Sequence, residues 1–301
     1  MVRRHELTDE QWQVIESLLP PPGPKGRPRV DDRRVINGML YKAKTGSAWR
    51  DLPERYGPRK TVYHRFWRWA RNGTLTTLVK RARVIAEAID ELDRELAIDS
   101  SIVRAHQHAA GTRRQASNGS GVGANEPATR QTEPDDHAIG RSRGGPTTKI
   151  HLACDGHGRP LVVLLTGGNI NDTTCFEQVL DAVEFAAPGP GQPATRPTRV
   201  LADKGYSSRA NRAYLRRRGI HATIPERADQ QADRARRGRA GGRPPTFDPI
   251  AYKRRNVVER CFVVERCFNR FKQYRAIATR YDKTALSYQA MTDLATLTMW
   301  L

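Results

Sequence analysis

The chain has 301 residues, enough for one medium domain and a small second one. Its 52 Lys and Arg against 32 Asp and Glu give a net charge of +20, an excess that points to phosphate as the partner. No apolar run reaches the length of a membrane span, the N-terminus lacks a signal peptide's apolar segment, and Cys154, Cys175, Cys261 and Cys267 show no metal-like spacing, so a cytoplasmic, nucleoid-associated protein with reduced thiols is expected.

Residues 6–19 read as a short amphipathic helix with Thr8 as N-cap, stopped by Pro20-Pro21-Pro22. Gly26-Arg27-Pro28-Arg29 follows, a basic arm whose arginines Arg27 and Arg29 could lie in a narrow minor groove; an ordinary basic loop is the alternative. Residues 31–45 form a second helix ended by Gly46. Residues 59–71 form a third, with Val62, Phe66 and Trp69 inward. Arg59, Lys60, Tyr63, His64, Arg65 and Arg68 occupy its other faces and are the expected DNA contacts, a solvated basic helix being the alternative. Short helices followed by a basic, aromatic-bearing one resemble a helix-turn-helix domain, here over residues 1–93 once a further helix at about 75–93 is included.

From residue 95 the period changes to that of strands. Leu96–Ala105 contains Asp99. Residues 107–146 carry almost no large apolar side chain and read as loop or disordered. Thr147–Asp155 and Arg159–Thr166 are strands joined by the hairpin signal Asp155-Gly156-His157-Gly158. Thr174 and Glu177 predict a capping box for a helix reaching about Phe185. After a Pro-rich linker at 188–197, Arg199–Ala202 is a buried strand ending in Asp203, Ser208–Arg218 a basic helix, and Ile220–Pro225 another strand. Residues 226–246 read as mobile. Asp248 caps the final helix, with Pro249 at its first position.

Strand with Asp, hairpin, helix, strand with Asp, helix, strand, insertion, helix with Glu: that order is an α/β (α+β) arrangement of the RNase H-like kind, over residues 94–301. It would bring Asp99 and Asp203 to one sheet edge and lay a glutamate across from them. Three clustered carboxylates would repel one another without a cation, and their oxygens suit two Mg²⁺ ions (Mn²⁺ substituting) for in-line phosphodiester chemistry. Asp155 is assigned instead to the hairpin turn and Asp172 to a helix start. His106 and His108 lie at the edge of the loop and are set aside. Lys149, Lys204, Arg270 and Lys272 are candidate phosphate contacts near that edge, with solvated charge as the alternative.

The motifs then resemble a known family over nearly the whole chain. Leu-Ala-Ile-Asp99-Ser-Ser, Gly140-Arg-Ser-Arg-Gly-Gly145 before Thr148-Lys-Ile-His151, Ala-Asp203-Lys-Gly-Tyr206, and the signature around the glutamate are similar to bacterial DDE transposases of the insertion-sequence-five family. The resemblance implies double-stranded DNA as partner (terminal inverted repeats and target), cleavage at the element's ends, transfer of 3′ ends, and a homo-oligomer that pairs two ends.

The chain departs from the signature at one place. Val257–Phe262 and Val263–Phe268 are identical, Val-Val-Glu-Arg-Cys-Phe. Tyr252 and Arg255 are correctly spaced from Glu259, whereas Lys272 is correctly spaced from Glu265. Six extra residues add about 9 Å and roughly 600° of helix, leaving the halves about 120° out of phase. The downstream apolar face favours Glu265 as the catalytic residue, with Glu259 as its rival. A damaged copy that only binds DNA, as a relic or self-repressor, and a nuclease that never joins ends are the two other classes left open.

Overall fold

The computed structural model describes residues 3–21, 29–89, 94–111, 132–185, 196–254 and 263–301. Its spine is β1 (Glu95–Ala105), whose run Leu96, Ala97 and Ile98 is wholly buried. Downstream lie α5 (Gln107–Ala110), β2 (Gly140–Ser142), β3 (Gly145–Cys154) and β4 (Pro160–Gly167). β3 runs antiparallel to β1, and β4 antiparallel to β3. The hairpin between them is closed by buried Asp155, which accepts from the amides of His157 and Arg159 and pairs with Arg159 Nε at 2.8 Å.

After α6 (Asp172–Asp181), β5 (Arg199–Ala202) returns parallel to the other edge of β1, and β6 (His221–Thr223) adds parallel to β5 with α7 (Arg209–Arg217) between them. The strand order β4-β3-β1-β5-β6 combines an antiparallel meander with two parallel additions, the RNase H-like arrangement. β5 leaves β1 after the pair Ile98/Ala202, and short β7 (Thr279–Arg280) rejoins that edge only at Arg104. The sheet therefore opens at Asp99 and Asp203.

On the N-terminal side are α1 (Asp9–Leu18), α2 (Asp32–Thr45), α3 (Arg59–Arg71) and α4 (Thr74–Ile89). Thr8 makes the expected capping box with Gln11, and Gly46 ends α2 at φ 70°, a left-handed conformation that glycine adopts without cost. The connection from α2 to α3, residues 46–58, contains two 3-10 turns. The last helices are α8 (Ala228–Arg236), α9 (Pro249–Arg254), α10 (Val263–Lys272), α11 (Arg275–Ala278) and α12 (Ala285–Trp300).

Three expectations change. Residues 226–246, read as mobile, contain α8, held by Gln230 against Ser207. The cap of α6 is Asn171, whose side chain accepts from the Thr173 amide; Thr174 instead turns its hydroxyl to the Asn171 carbonyl, and the helix ends at Asp181. Residues 107–146, read as loop or disordered, contain α5, β2 and the start of β3 among the described residues. Residues 112–131, at the heart of the expected long loop, and 188–195 of the Pro-rich linker lie outside the described residues.

The N-terminal helices and the sheet share one core, because α12 is buried nearly all round and packs on α2, α3, α4 and β4. Trp300 Nε1 donates to the Pro160 carbonyl at 2.8 Å, and Thr76 on α4 donates to Asp293 on α12 at 2.7 Å. Burial raises the Asp293 carboxyl to about 6, against the opposing effect of the Gln289 and Thr76 bonds. The folded state therefore keeps a proton that the unfolded chain releases. Stability falls as pH rises from about 4 to 6, and the deficit persists above. Asp293→Asn is expected to stabilise the chain at pH 7.5 by about 1–3 kcal/mol and to change little at pH 4. Denaturant unfolding at the two pH values measures this.

Candidate active site

Asp99 and Asp203 each follow the last registered pair of β1 and β5, Ile98 and Ala202. Neighbouring strands lie about 5 Å apart, so the two acids share the fork where the strands part. Both are half-buried. Asp99 Oδ1 accepts from the Ser100 amide at 2.8 Å. Asp203 caps the 3-10 turn Lys204–Tyr206, accepting from the Gly205 amide at 2.8 Å. A side chain at 205 would press on that carboxylate, since a Cβ would meet Asp203 Oδ1 at 2.9 Å. Tyr206, 2% exposed, lies beneath the fork. Burial first, then the charges of Asp172, Asp99 and Asp203, hold its phenol far above the ordinary range, so it stays protonated.

A polar layer backs this fork. Ser100 and His151 are cross-strand partners, and Lys149 follows two residues along β3 on the same face. Asp172, the first residue of α6, is set against all three. It accepts from Ser100 Oγ at 2.7 Å, pairs with Lys149 Nζ at 2.9 Å, and lies 3.9 Å from His151 Nδ1. Lys149 Nζ also donates to the Ile170 carbonyl at 2.6 Å. His151 Nε2 meets Thr166 Oγ1 at 2.9 Å. Burial lowers the imidazole to about 4, so it is neutral at physiological pH. Asp172 is thus a helix start, as expected, and also the counter-ion of a buried lysine.

That pairing corrects one expected DNA contact. Lys149 is 7% exposed on a strand flanked by β1 and β4, so its ammonium is turned under α6 and away from solvent. Lys149→Met is expected to cost about 1–2 kcal/mol, since it strips a partly screened carboxylate of its cation, and to leave the salt dependence of DNA binding unchanged. Thermal unfolding and a salt titration separate the two effects.

Arg65 needs the same correction. Its guanidinium is bound to Asp32 at the start of α2, with both side chains nearly buried. Arg29 folds back on the same Asp32 and on the Pro20 carbonyl. Arg59, Lys60, Tyr63, His64 and Arg68 are exposed on α3. Trp67, 40% exposed, joins them beside Tyr63 at 38%. The four-residue spacing from Tyr63 to Trp67 was the available signal for it. Lys204, Arg270 and Lys272 are exposed. Arg27, Arg255 and Glu259 lie outside the described residues. His106 stacks on Tyr281 at 4.6 Å and its Nδ1 accepts from the His108 amide, so it serves the local turn.

Glu265 sits half-buried in the first turn of α10, which packs on β1 and β3. Val264 and Cys267 are fully buried, Val263, Phe268 and Phe271 nearly so, and burial pushes the Cys267 thiol up to about 12. Val263 abuts Gly158 of the β3–β4 hairpin, which lies beyond the pair Ala97/Cys154. The start of α10 therefore lies at the β3–β4 hairpin end of the sheet. Among the described residues, no three Asp, Glu, His or Cys side chains stand close enough to hold an ion. The register sets Asp99 and Asp203 side by side, and Glu265 does not form a three-ligand group with them among the described residues. The aspartate pair fits a hard divalent cation, being acceptor-only oxygens from two strands with one oxygen of each oriented by an amide.

Residues 90–300 match the family model described as "Transposase DDE domain", and residues 7–79 match "Putative transposase of IS4/5 family". Among relatives, "Putative transposase for insertion sequence element IS6501" of Brucella ovis is 30% identical over 155 residues, covering 52% of this chain and 98% of that one. "Uncharacterized protein y4sN" of Sinorhizobium fredii is 44% identical over 111 residues, covering 36% and 83%. "Putative transposase for insertion sequence element IS402" of Burkholderia cepacia is 41% identical over 85 residues, covering 28% and 40%. The crystal structure of the Mos1 strand transfer complex aligns over 97% of this chain and 83% of that one at 14% identity and a TM-score of 0.25. With a DDE model spanning more than two-thirds of the sequence and both aspartates of the fork inside it, the chain belongs to the DDE transposases.

Proposed function

We propose that this chain binds the terminal inverted repeats of its insertion sequence and catalyses divalent-metal-dependent cleavage and transfer of the element's ends. The observation that carries the reading is the fork between β1 and β5, which presents Asp99 and Asp203 side by side. Two carboxylates at that spacing repel unless a cation lies between them. Asp99, Asp203 and a glutamate, Glu265 in this reading, would hold Mg²⁺ or Mn²⁺. When bound, the ions supply Lewis-acid activation of a water or 3′-hydroxyl and stabilise the leaving oxygen.

The remaining work falls to the chain itself. The Ser100 and Gly205 amides fix the two carboxylates, and protonated Tyr206 holds the base of the fork without adding charge. Exposed Lys204 and Arg270 would meet phosphate. The exposed face of α3, with Arg59, Lys60, Tyr63, His64, Trp67 and Arg68, would engage duplex DNA. Transfer requires two ends at once, so the acting species is a dimer at least.

A plasmid carrying the element's two ends, incubated with the protein and Mg²⁺ or Mn²⁺, tests this. Joined products are expected. Cut ends without joining would make the chain a nuclease, and binding without cutting would make it a DNA-binding relic.

A further inference from the structure

The turn after Asp203 leads into a groove of about 620 Å³ between α7 and the segment that follows β6. Arg209, Arg212, Arg216, Arg237 and Arg243 line it, with Ser207 at its inner end. Residues 204–247 carry twelve Lys and Arg against three acids, a net of +9 out of the chain's +20 in about a seventh of its length. The three acids are already neutralised within the segment. Glu226 pairs with Arg234, Asp229 with Arg227 at 3.1 Å, and Asp233 with Arg236. Arg212 is structural, donating to the Ile224 carbonyl at 2.8 Å and to Ser207 Oγ at 3.0 Å. Among the described residues, no carboxylate pairs with Arg209, Arg216, Arg237 or Arg243.

Such a wall is neither core packing nor a pocket for an apolar ligand. Its position gives the occupant. Gln230 of α8 exchanges two hydrogen bonds with Ser207, at 2.9 and 2.5 Å, four residues after Asp203. The groove is thereby anchored to the active-site turn and opens beside it. We propose that it tracks the phosphates of the DNA strand running past Asp203, as a second DNA surface distinct from α3. This rests on the reading of Asp203 as acting on DNA. Guanidinium groups spaced along a helix and a facing loop match a phosphate backbone and read no sequence, so the groove would hold flanking DNA whatever its bases.

The test is binding of the full chain to a 30-base-pair random-sequence duplex, by fluorescence anisotropy across a salt series. Each lost phosphate contact lowers the log–log salt slope by about 0.9. Joint replacement of Arg209, Arg216, Arg237 and Arg243 by Gln is expected to reduce the slope by about 3.6 and weaken binding at least tenfold in 0.1 M salt, whereas replacement by Lys preserves most of both. The single change Arg216→Gln, on an exposed helix face, should lower the slope by about one while leaving the melting temperature unaltered. A natural chain with salt-dependent binding whose glutamine variants keep the full slope would overturn the groove and leave the transposase reading intact. A natural chain that shows no salt-dependent duplex binding would overturn both.

Discussion

Asp99→Asn and Asp203→Asn are each expected to reduce end cleavage by about a thousandfold or more while leaving DNA binding equal or slightly tighter. Each change removes one charged oxygen ligand from the fork, and metal-assisted charge stabilisation contributes several kcal/mol to such chemistry. Neither change should unfold the chain. Asp99 sits where β5 has already left β1, and the Asp203 carboxylate accepts from the Gly205 amide of a short turn, a bond the Asn amide oxygen can still accept. Binding should survive because the side chains proposed to hold DNA, on α3 and along the basic groove, do not include the two carboxylates, and the lost negative charge lessens repulsion of phosphate. Cleavage retained in either variant, at natural rates, would remove the fork from the reaction.

Glu265→Gln is expected to cost about a hundredfold or more in cleavage, whereas Glu259→Gln should stay within about threefold of the natural chain. The reason is packing. Val263, Val264, Cys267, Phe268 and Phe271 fix α10 through its buried face, and each such side chain contributes roughly 1.5–3 kcal/mol. Advancing the helix by one repeat to bring Glu259 forward would set identical residues in the places of Val263, Val264, Cys267 and Phe268, but it would put the Glu265 carboxylate in the buried place of Phe271 and displace the turn into α11, a loss of several kcal/mol. Deleting either copy of the repeat yields the same sequence. Tyr252 and Arg255 then stand seven and four residues before the glutamate, and Lys272 seven after it. The deletion keeps every residue of α10 and rejoins the two halves of the signature. It is expected to raise cleavage above the natural level, because it returns Tyr252 and Arg255 to the signature's spacing before the glutamate without disturbing the packed face of α10. Gel assays on the three variants and the natural chain, under single-turnover conditions, read these differences.

The strands that carry the two candidate aspartates were legible from period and order. β5 was predicted with its observed ends and β1 to within one residue, because continuous apolar runs bounded by polar residues leave little choice. Asp99 and Asp203 stood out as acids at the ends of such runs. The fate of Lys149 and Arg65 was not legible. Each finds its carboxylate 23 or 33 residues away along the chain, through a helix laid on a strand or on another helix, and local pattern carries no record of that. Arg280 was missed for the same reason. It is wholly buried, and its guanidinium donates to the carbonyls of His137 and Ala138 and to Thr148 Oγ1, binding β7 to the β2–β3 hairpin. An arginine in a polar stretch reads as solvated until the fold supplies buried carbonyls. α8 was missed because its segment has almost no apolar face; ion pairs within the segment and the Gln230–Ser207 bonds hold it instead.

The central claim is that Asp99 and Asp203 form a cation site with a glutamate from α10. It is tested most directly by Mn²⁺ binding to the full chain, followed by electron paramagnetic resonance, for the natural protein, Asp203→Asn and Glu265→Gln. The account predicts saturable binding by the natural chain, near-complete loss in Asp203→Asn, and a partial loss in Glu265→Gln that Glu259→Gln does not reproduce. Undiminished Mn²⁺ binding in Asp203→Asn would contradict it, whatever the cleavage assays show.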